Sequence, residues 1–364
     1  MNALTRAIMN AAMAPEGPVG PTLPLNWSTD LDFTRASAAT HWDGTTVTRY
    51  AIDAPRVLVG GALYVEGSRT NKIHDSSTYS APALSGATAV VDAAASPAGD
   101  PTSADEFTIT AAAGRTGANT STNMLAGRIA ASVFVQYAAG ADTLSLSQAS
   151  TAGSGSTAVL LDALAAWRRF QNINPASPGG ALQMRLQEND VANNNVFRAW
   201  GWQAEDGGFA SQMIETAGAA GTRLPDDAVI PSADVPAAMR SGSWRTTIAP
   251  ARASTQVSDT TTETLYSFGS GLDNCIVINA SNQIVVRASG VDVVTTGALT
   301  WSADQAITLT LNAAAGTVLV SGATTGNGTT TGTPWTMPTG DVQVGNDAAL
   351  TTAFFGAVSP PEAP

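Results

Sequence analysis

From about residue 31 to residue 345 the chain repeats one pattern: a short run in which apolar and polar residues alternate, then a turn rich in Gly, Ser, Asn or Asp. Alternation with period two places side chains on opposite faces of an extended backbone, so each run reads as a strand with one buried face. Clear cases are Glu106–Thr110, 130–137, 181–187 and 306–312. In the run 275–288, Asn279 to Gln283 reads as the turn of a hairpin. Many short strands with frequent turns point to β-sandwiches rather than helical bundles. The fold class expected is mainly β, a short N-terminal helix or arm followed by tandem β-sandwich domains.

Composition narrows the function. The 364 residues include 13% charged residues and carry a net charge of −12, with no basic stripe to neutralise phosphates. A nucleic-acid partner is therefore not expected, and the acidity also disfavours anionic lipid. No apolar run is long enough for a transmembrane helix. The single Cys275 excludes an intrachain disulfide and lies in an apolar strand, where a buried, inert thiol is expected. His41 and His74 have no metal-ligand spacing, so no metal and no cofactor is expected.

At the start, Leu4, Ala7, Ile8, Ala11 and Ala12 share one helical face, and Pro15 and Gly17 end the pattern. So short a helix needs something to dock on, either a partner or the chain's own first domain. Residues 1–24 read as this anchor with a Pro/Gly linker. The divisions that follow are a β block at 25–80, a jelly-roll domain at 81–230 and a last sandwich at 231–364.

Two stretches carry a sharper signal. One holds Trp200-Gly201-Trp202-Gln203-Ala204-Glu205, Met213-Ile214-Glu215-Thr216 and Gly218-Ala219-Ala220-Gly221-Thr222-Arg223. The other holds Phe33, Arg35, Ser37, Gly44, Pro55-Arg56, Gly61, Glu66 and Arg69-Thr70-Asn71. In this order they resemble the blocks that flank a carbohydrate-binding-like jelly roll in bacteriophage tail-fibre and other virion fibre or spike proteins. Met213 stands where that pattern usually has Tyr, and Ser68 where it has Ala. The last third, with its order Tyr266-Ser267-Phe268-Gly269, then 276–287, then 307–312, resembles laminin-G or concanavalin-like sandwiches. The resemblance implies attachment to a host-surface polysaccharide, contact with other virion proteins through the N-terminal segment, exposure on the particle, and homo-oligomers, a trimer first. Neither block contains reaction chemistry.

Glycan cleavage needs two carboxylates facing each other across a cleft. The candidates Glu188, Asp190, Glu205, Asp206, Asp226 and Asp227 all lie at apparent turns or domain exits, where acids commonly serve solubility and capping. No catalytic residue is assigned and no enzyme is expected. Sugar rings stack on exposed aromatic faces. Trp301, beside Ser302-Ala303-Asp304, and Trp335, after Thr333-Pro334, occupy turn-like positions and are the candidate glycan contacts. Trp167 and Trp244 lie in alternating strands and read as core. Trp200 and Trp202, two apart, should share one face, with Arg198 beside them in need of a partner. A purely structural decoration or connector protein and a polysaccharide-degrading spike stay open as alternatives.

Overall fold

The computed structural model describes residues 25–364 except 28, 59, 77–84, 112–113, 121, 141–143, 151–158, 162–165, 189–194, 257–261, 270, 348 and 350–351. The helix expected near the N-terminus lies outside them. The described chain is almost entirely strand. Its first part holds β1 (Asp32–Thr34), β2 (Ala39–Trp42), β3 (Val47–Tyr50), β4 (Arg56–Val57), β5 (Leu63–Val65) and β6 (Arg69–Asn71). Next come β7 (Ala87–Ala94), β8 (Ala104–Ile109), β9 (Arg115–Asn119), β10 (Gly127–Ala139) and β11 (Leu144–Ser150). They are followed by β12 (Val159–Leu161), β13 (Arg168–Ser177), β14 (Leu182–Glu188) and β15 (Val196–Asp206). Then β16 (Gly221–Arg223) and β17 (Asp227–Ile230) precede a single helical turn and a half, α1 (Ala237–Ser241). The last part holds β18 (Ser243–Pro250), β19 (Thr262–Phe268), β20 (Cys275–Asn279), β21 (Ile284–Ala288) and β22 (Val291–Thr295). It ends with β23 (Ile307–Asn312), β24 (Thr317–Ser321), β25 (Gly328–Thr331), β26 (Val342–Val344) and β27 (Gly356–Val358).

Two sandwiches result. The first packs a five-stranded sheet, β13-β10-β15-β8-β7, on a four-stranded sheet, β12-β11-β14-β9. Alternation explains its core: Ile129, Ala131, Val133 and Val135 of β10 meet Leu182, Met184 and Leu186 of β14, with Phe107 and Phe197 between. The second packs two seven-stranded sheets, β1-β17-β26-β19-β20-β21-β22 and β25-β24-β23-β18-β27-β5-β4. The hairpin expected at 279–283 joins β20 to β21. Asn282 takes the positive φ of +56° that Asn tolerates, and the Asn279 side chain accepts hydrogen bonds from the Ser281 and Gln283 amides.

The block drawn at 25–80 does not stand alone. Its β1 extends one sheet of the second sandwich, while β4 and β5 extend the other. The Trp27 indole donates to the Val358 carbonyl across 331 residues of sequence. The β2-β3 hairpin instead covers the outer face of the first sandwich's five-stranded sheet, where Trp42 and Val47 pack with Phe134, Trp200 and Met213. The stretch 225–239 contains β17, and because β1, β4 and β5 join β17–β27 the second sandwich takes strands from early and late parts of the chain.

The two motif blocks meet at the joint between the sandwiches. β6 pairs with β16, Arg69 opposite Arg223 and Asn71 opposite Gly221. The Asn71 amide donates to the Trp202 and Ile214 carbonyls, and its oxygen accepts from the Ala204 amide. Beneath lies a fully buried ionic network. Arg35 reaches Asp226 at 3.0 Å, Arg56 bridges Glu66 and Asp226, and Arg223 lies 2.9 Å from Glu66. The second Glu66 oxygen accepts from the Gln212 amide. Nearby, the Arg69 guanidinium sits 4.7 Å from the Phe209 ring centroid and 5.0 Å from that of Phe355. Buried charges are tolerated only when paired and hydrogen-bonded, and here the pairing ties residues of both blocks together.

One parity expectation fails for a local reason. Ser132 of β10 faces Gln203 while Phe134 faces Trp200, so β15 carries an extra residue there. Gly201, at φ +69°, forms this bulge. Trp202 therefore joins the sandwich interior and Trp200 the opposite face, both buried. Arg198, on the Trp200 side, finds Glu106 and Gln136. A methyl group on Gly201 would come within 2.7 Å of Phe134 Cδ2 in a backbone conformation that disfavours side chains. Gly201→Ala is expected to destabilise by about 2–4 kcal/mol, combining left-handed strain and overpacking. An unchanged thermal midpoint would contradict the bulge.

Candidate functional site

The two sheets of the first sandwich differ in what covers them. The outer face of the five-stranded sheet lies under the β2-β3 hairpin and the segment around Met213, sealed by the Thr40 hydroxyl to the Met213 carbonyl and the Trp42 amide to Gln212. The outer face of the four-stranded sheet carries polar side chains. Since Leu182, Met184 and Leu186 point inward, Gln183, Arg185 and Gln187 point outward. Register then sets Asn119 opposite Gln183, Gly117 opposite Arg185 and Arg115 opposite Gln187. Ser147 and Ala149 of β11 continue the surface, opposite Arg185 and Gln183. A cleft of about 420 Å³ lies here, lined by Asn119, Thr120, Ala149, Gln183 and Arg185 among others. That volume lies within the range of small-ligand sites. The side chains offer amide, hydroxyl and guanidinium groups, the complement of a hydroxyl-rich ligand.

The Arg185 guanidinium bonds Gln183 Oε1 at 2.5 Å, and burial, followed by the neighbouring charge of Arg115, pulls its pKa below the usual arginine value. Arg115 Nε is shielded from water with no hydrogen-bond partner. A second cleft, of about 240 Å³, runs between Ala38–Thr40 and the segment 213–223. The one guanidinium lining it besides Arg223, that of Arg49, is engaged by Asp100 and Glu215. Its charges are satisfied internally, which makes the open sheet face the better site.

The candidate tryptophans are elsewhere and inside. Trp301 is 3% exposed and Trp335 6% exposed, both in the core of the second sandwich. The Trp301 indole donates to the Arg252 carbonyl at 2.8 Å, and the Arg252 guanidinium covers its ring. Neither indole has a free face for a sugar. Turn-like neighbours misled because both residues plug the sandwich from its loops. The polar face of β14 was visible as alternation in 182–187, but alternation marks every half-buried strand and does not say which faces stay uncovered.

The carboxylate candidates are likewise separated by role. Glu205 is buried and accepts from the Ser211 amide and hydroxyl, Asp206 pairs with Lys72, and Asp226 belongs to the buried network. Asp190 lies outside the described residues. Burial and then Arg56 lower the His41 pKa, and burial pushes the Cys275 thiol up to about 11. Among the described residues no group of three His, Cys, Asp or Glu is placed to hold a metal, and no helix is long and apolar enough to cross a membrane.

No protein-family model matches the chain, and no curated protein matches it in sequence. Among solved structures, an arabinose-bound α-L-arabinofuranosidase, MgGH51, aligns over 47% of this chain and 32% of its own, at 11% identity and TM-score 0.30. The chain thus spans about a third of that enzyme. A tandem CBM22-1-CBM22-2 domain of Paenibacillus barcinonensis Xyn10C aligns over 81% of this chain and 99% of its own, at 10% identity and TM-score 0.25. Both scores are too low to carry a functional argument.

Proposed function

We infer that this chain is a virion fibre or spike protein that attaches to a host-surface glycan by binding without cleavage. The observation that carries the binding is the half-exposed polar outer face of the four-stranded sheet, with its cleft between Asn119, Gln183 and Arg185. The virion setting rests on the two sequence blocks. Their meeting at one joint, through β6-β16 and the Glu66–Asp226 network, fits two parts of one structural device. Other virion proteins would dock on the N-terminal segment, and a homotrimer would multiply weak sites by avidity.

Glycan-array binding by the purified full chain, with free reducing ends scored on each bound glycan, tests this reading. Binding with no new reducing ends is expected. New ends would replace the adhesin with a depolymerase. Absence of binding by an assembled oligomer would leave a decoration or connector protein.

A further inference from the structure

We propose that Arg115 and Arg185, side by side on the outer face of the four-stranded sheet, bind the carboxylate of an acidic sugar, so that the glycan recognised is a uronate-bearing polysaccharide. This rests on the glycan-binding reading and names the class of sugar. The register places Arg185 opposite Gly117 and Arg115 opposite Gln187, which makes the two arginines diagonal neighbours on one face. Gly117, between them on β9, contributes no side chain to separate the guanidiniums. Four other arginines near the surface are matched with acids, Arg49 with Asp100, Arg198 with Glu106, Arg245 with Glu362 and Arg287 with Asp292, whereas the exposed Arg128 and Arg168 stand apart from one another and line neither cleft with a second arginine. Arg115 and Arg185 form no ion pair among the described residues, in a protein with 29 acidic residues to 17 basic ones.

Two neighbouring like charges with no counterion among the described residues raise the energy of the free protein, and an entering carboxylate relieves that. Guanidinium and carboxylate match as planar two-pronged partners, with charge-assisted bonds about twice the strength of neutral ones. Gln183, Asn119 and Thr120, lining the adjoining cleft, suit the hydroxyls of the same or the next sugar ring. The net charge of −12 repels a polyanion little at long range, because physiological salt screens charges more than about 8 Å apart. The local pair decides the contact.

The test is titration calorimetry of the full chain against alginate, polygalacturonate and hyaluronate, each beside its carboxyl-reduced neutral form, with dextran and dextran sulfate as further arms. At least one uronate polymer should bind and its reduced form should not. Arg185→Gln and Arg115→Gln should each weaken binding roughly tenfold or more, with a thermal midpoint unchanged or raised because no ion pair is lost. Equal binding of the acidic and reduced forms, unaffected by the two substitutions, overturns the inference and leaves the glycan-binding reading standing. Dextran sulfate bound as tightly as the best uronate polymer overturns the assignment to a carboxylate. Binding to none of these polymers, in a protein that also binds nothing on the glycan array, overturns both.

Discussion

Replacing Glu66 by glutamine is expected to lower the unfolding free energy by about 3–5 kcal/mol, the loss typical of removing one partner from a buried ion pair. Glu66 and Asp226 are the two carboxylates facing Arg35, Arg56 and Arg223, and all five side chains are buried. Glutamine keeps the shape but leaves three guanidiniums against one acid. Arg56 Nε and Arg223 Nε already have no partner, so the network has no spare acceptor to take up the loss. Because the network ties β5 and the Arg223–Asp226 segment across the joint, unfolding should begin there, and a urea titration followed at both ends of the chain would report it. A midpoint equal to that of the unsubstituted protein would show that the network contributes no stability.

The same residue gives the effect a pH dependence. Burial alone would raise the Glu66 pKa, but Arg223 and Arg56 overcome it and hold the carboxyl below the usual carboxylate range. A carboxyl whose folded pKa is depressed stabilises the fold above its unfolded value, near 4.3, and loses that contribution as pH falls through the folded pKa. The stability difference between the native protein and Glu66→Gln should therefore be full at pH 6–7 and shrink below about pH 4. A difference that stays constant down to acid unfolding would contradict the charged state assigned to Glu66.

Trp301→Ala should be comparably damaging, at about 3–5 kcal/mol, for a different reason. It removes the largest side chain at its place in the core of the second sandwich and orphans the Arg252 carbonyl that the indole now satisfies. Its effect on glycan affinity per folded molecule should be nil, since the open sheet face belongs to the other sandwich. Thermal melts combined with binding titrations at a temperature where the variant is folded separate the two. Lost affinity with an unchanged melting temperature would return Trp301 to the surface and to the ligand.

How far residues alone could carry the description follows from the range of the forces involved. Alternation at 129–135 and 182–187 acts between neighbours in the chain, so the strands and their inward residues were legible, as was the turn at Asn279–Gln283. The two motif blocks were recognisable, but not that Arg56 and Asp226, 170 residues apart, close one network. Parity assigned Trp200 and Trp202 to one face until a single glycine at positive φ, meaningful only against the partner strand, put them on opposite faces.

Residues alone indicated a mainly β chain and the inward positions of regular strands such as 129–135 and 182–187, and their acidity and lack of ligand-spaced His or Cys disfavour nucleic acid and metal. Only the tertiary structure decided which strands share a sheet, because pairing such as β5 with β27 depends on contacts nearly 300 residues apart that no local propensity encodes. It also decided which faces remain open. A tryptophan in a loop is core or surface according to what packs over it, and a pair of arginines is a site only where no acid from another strand arrives to neutralise them.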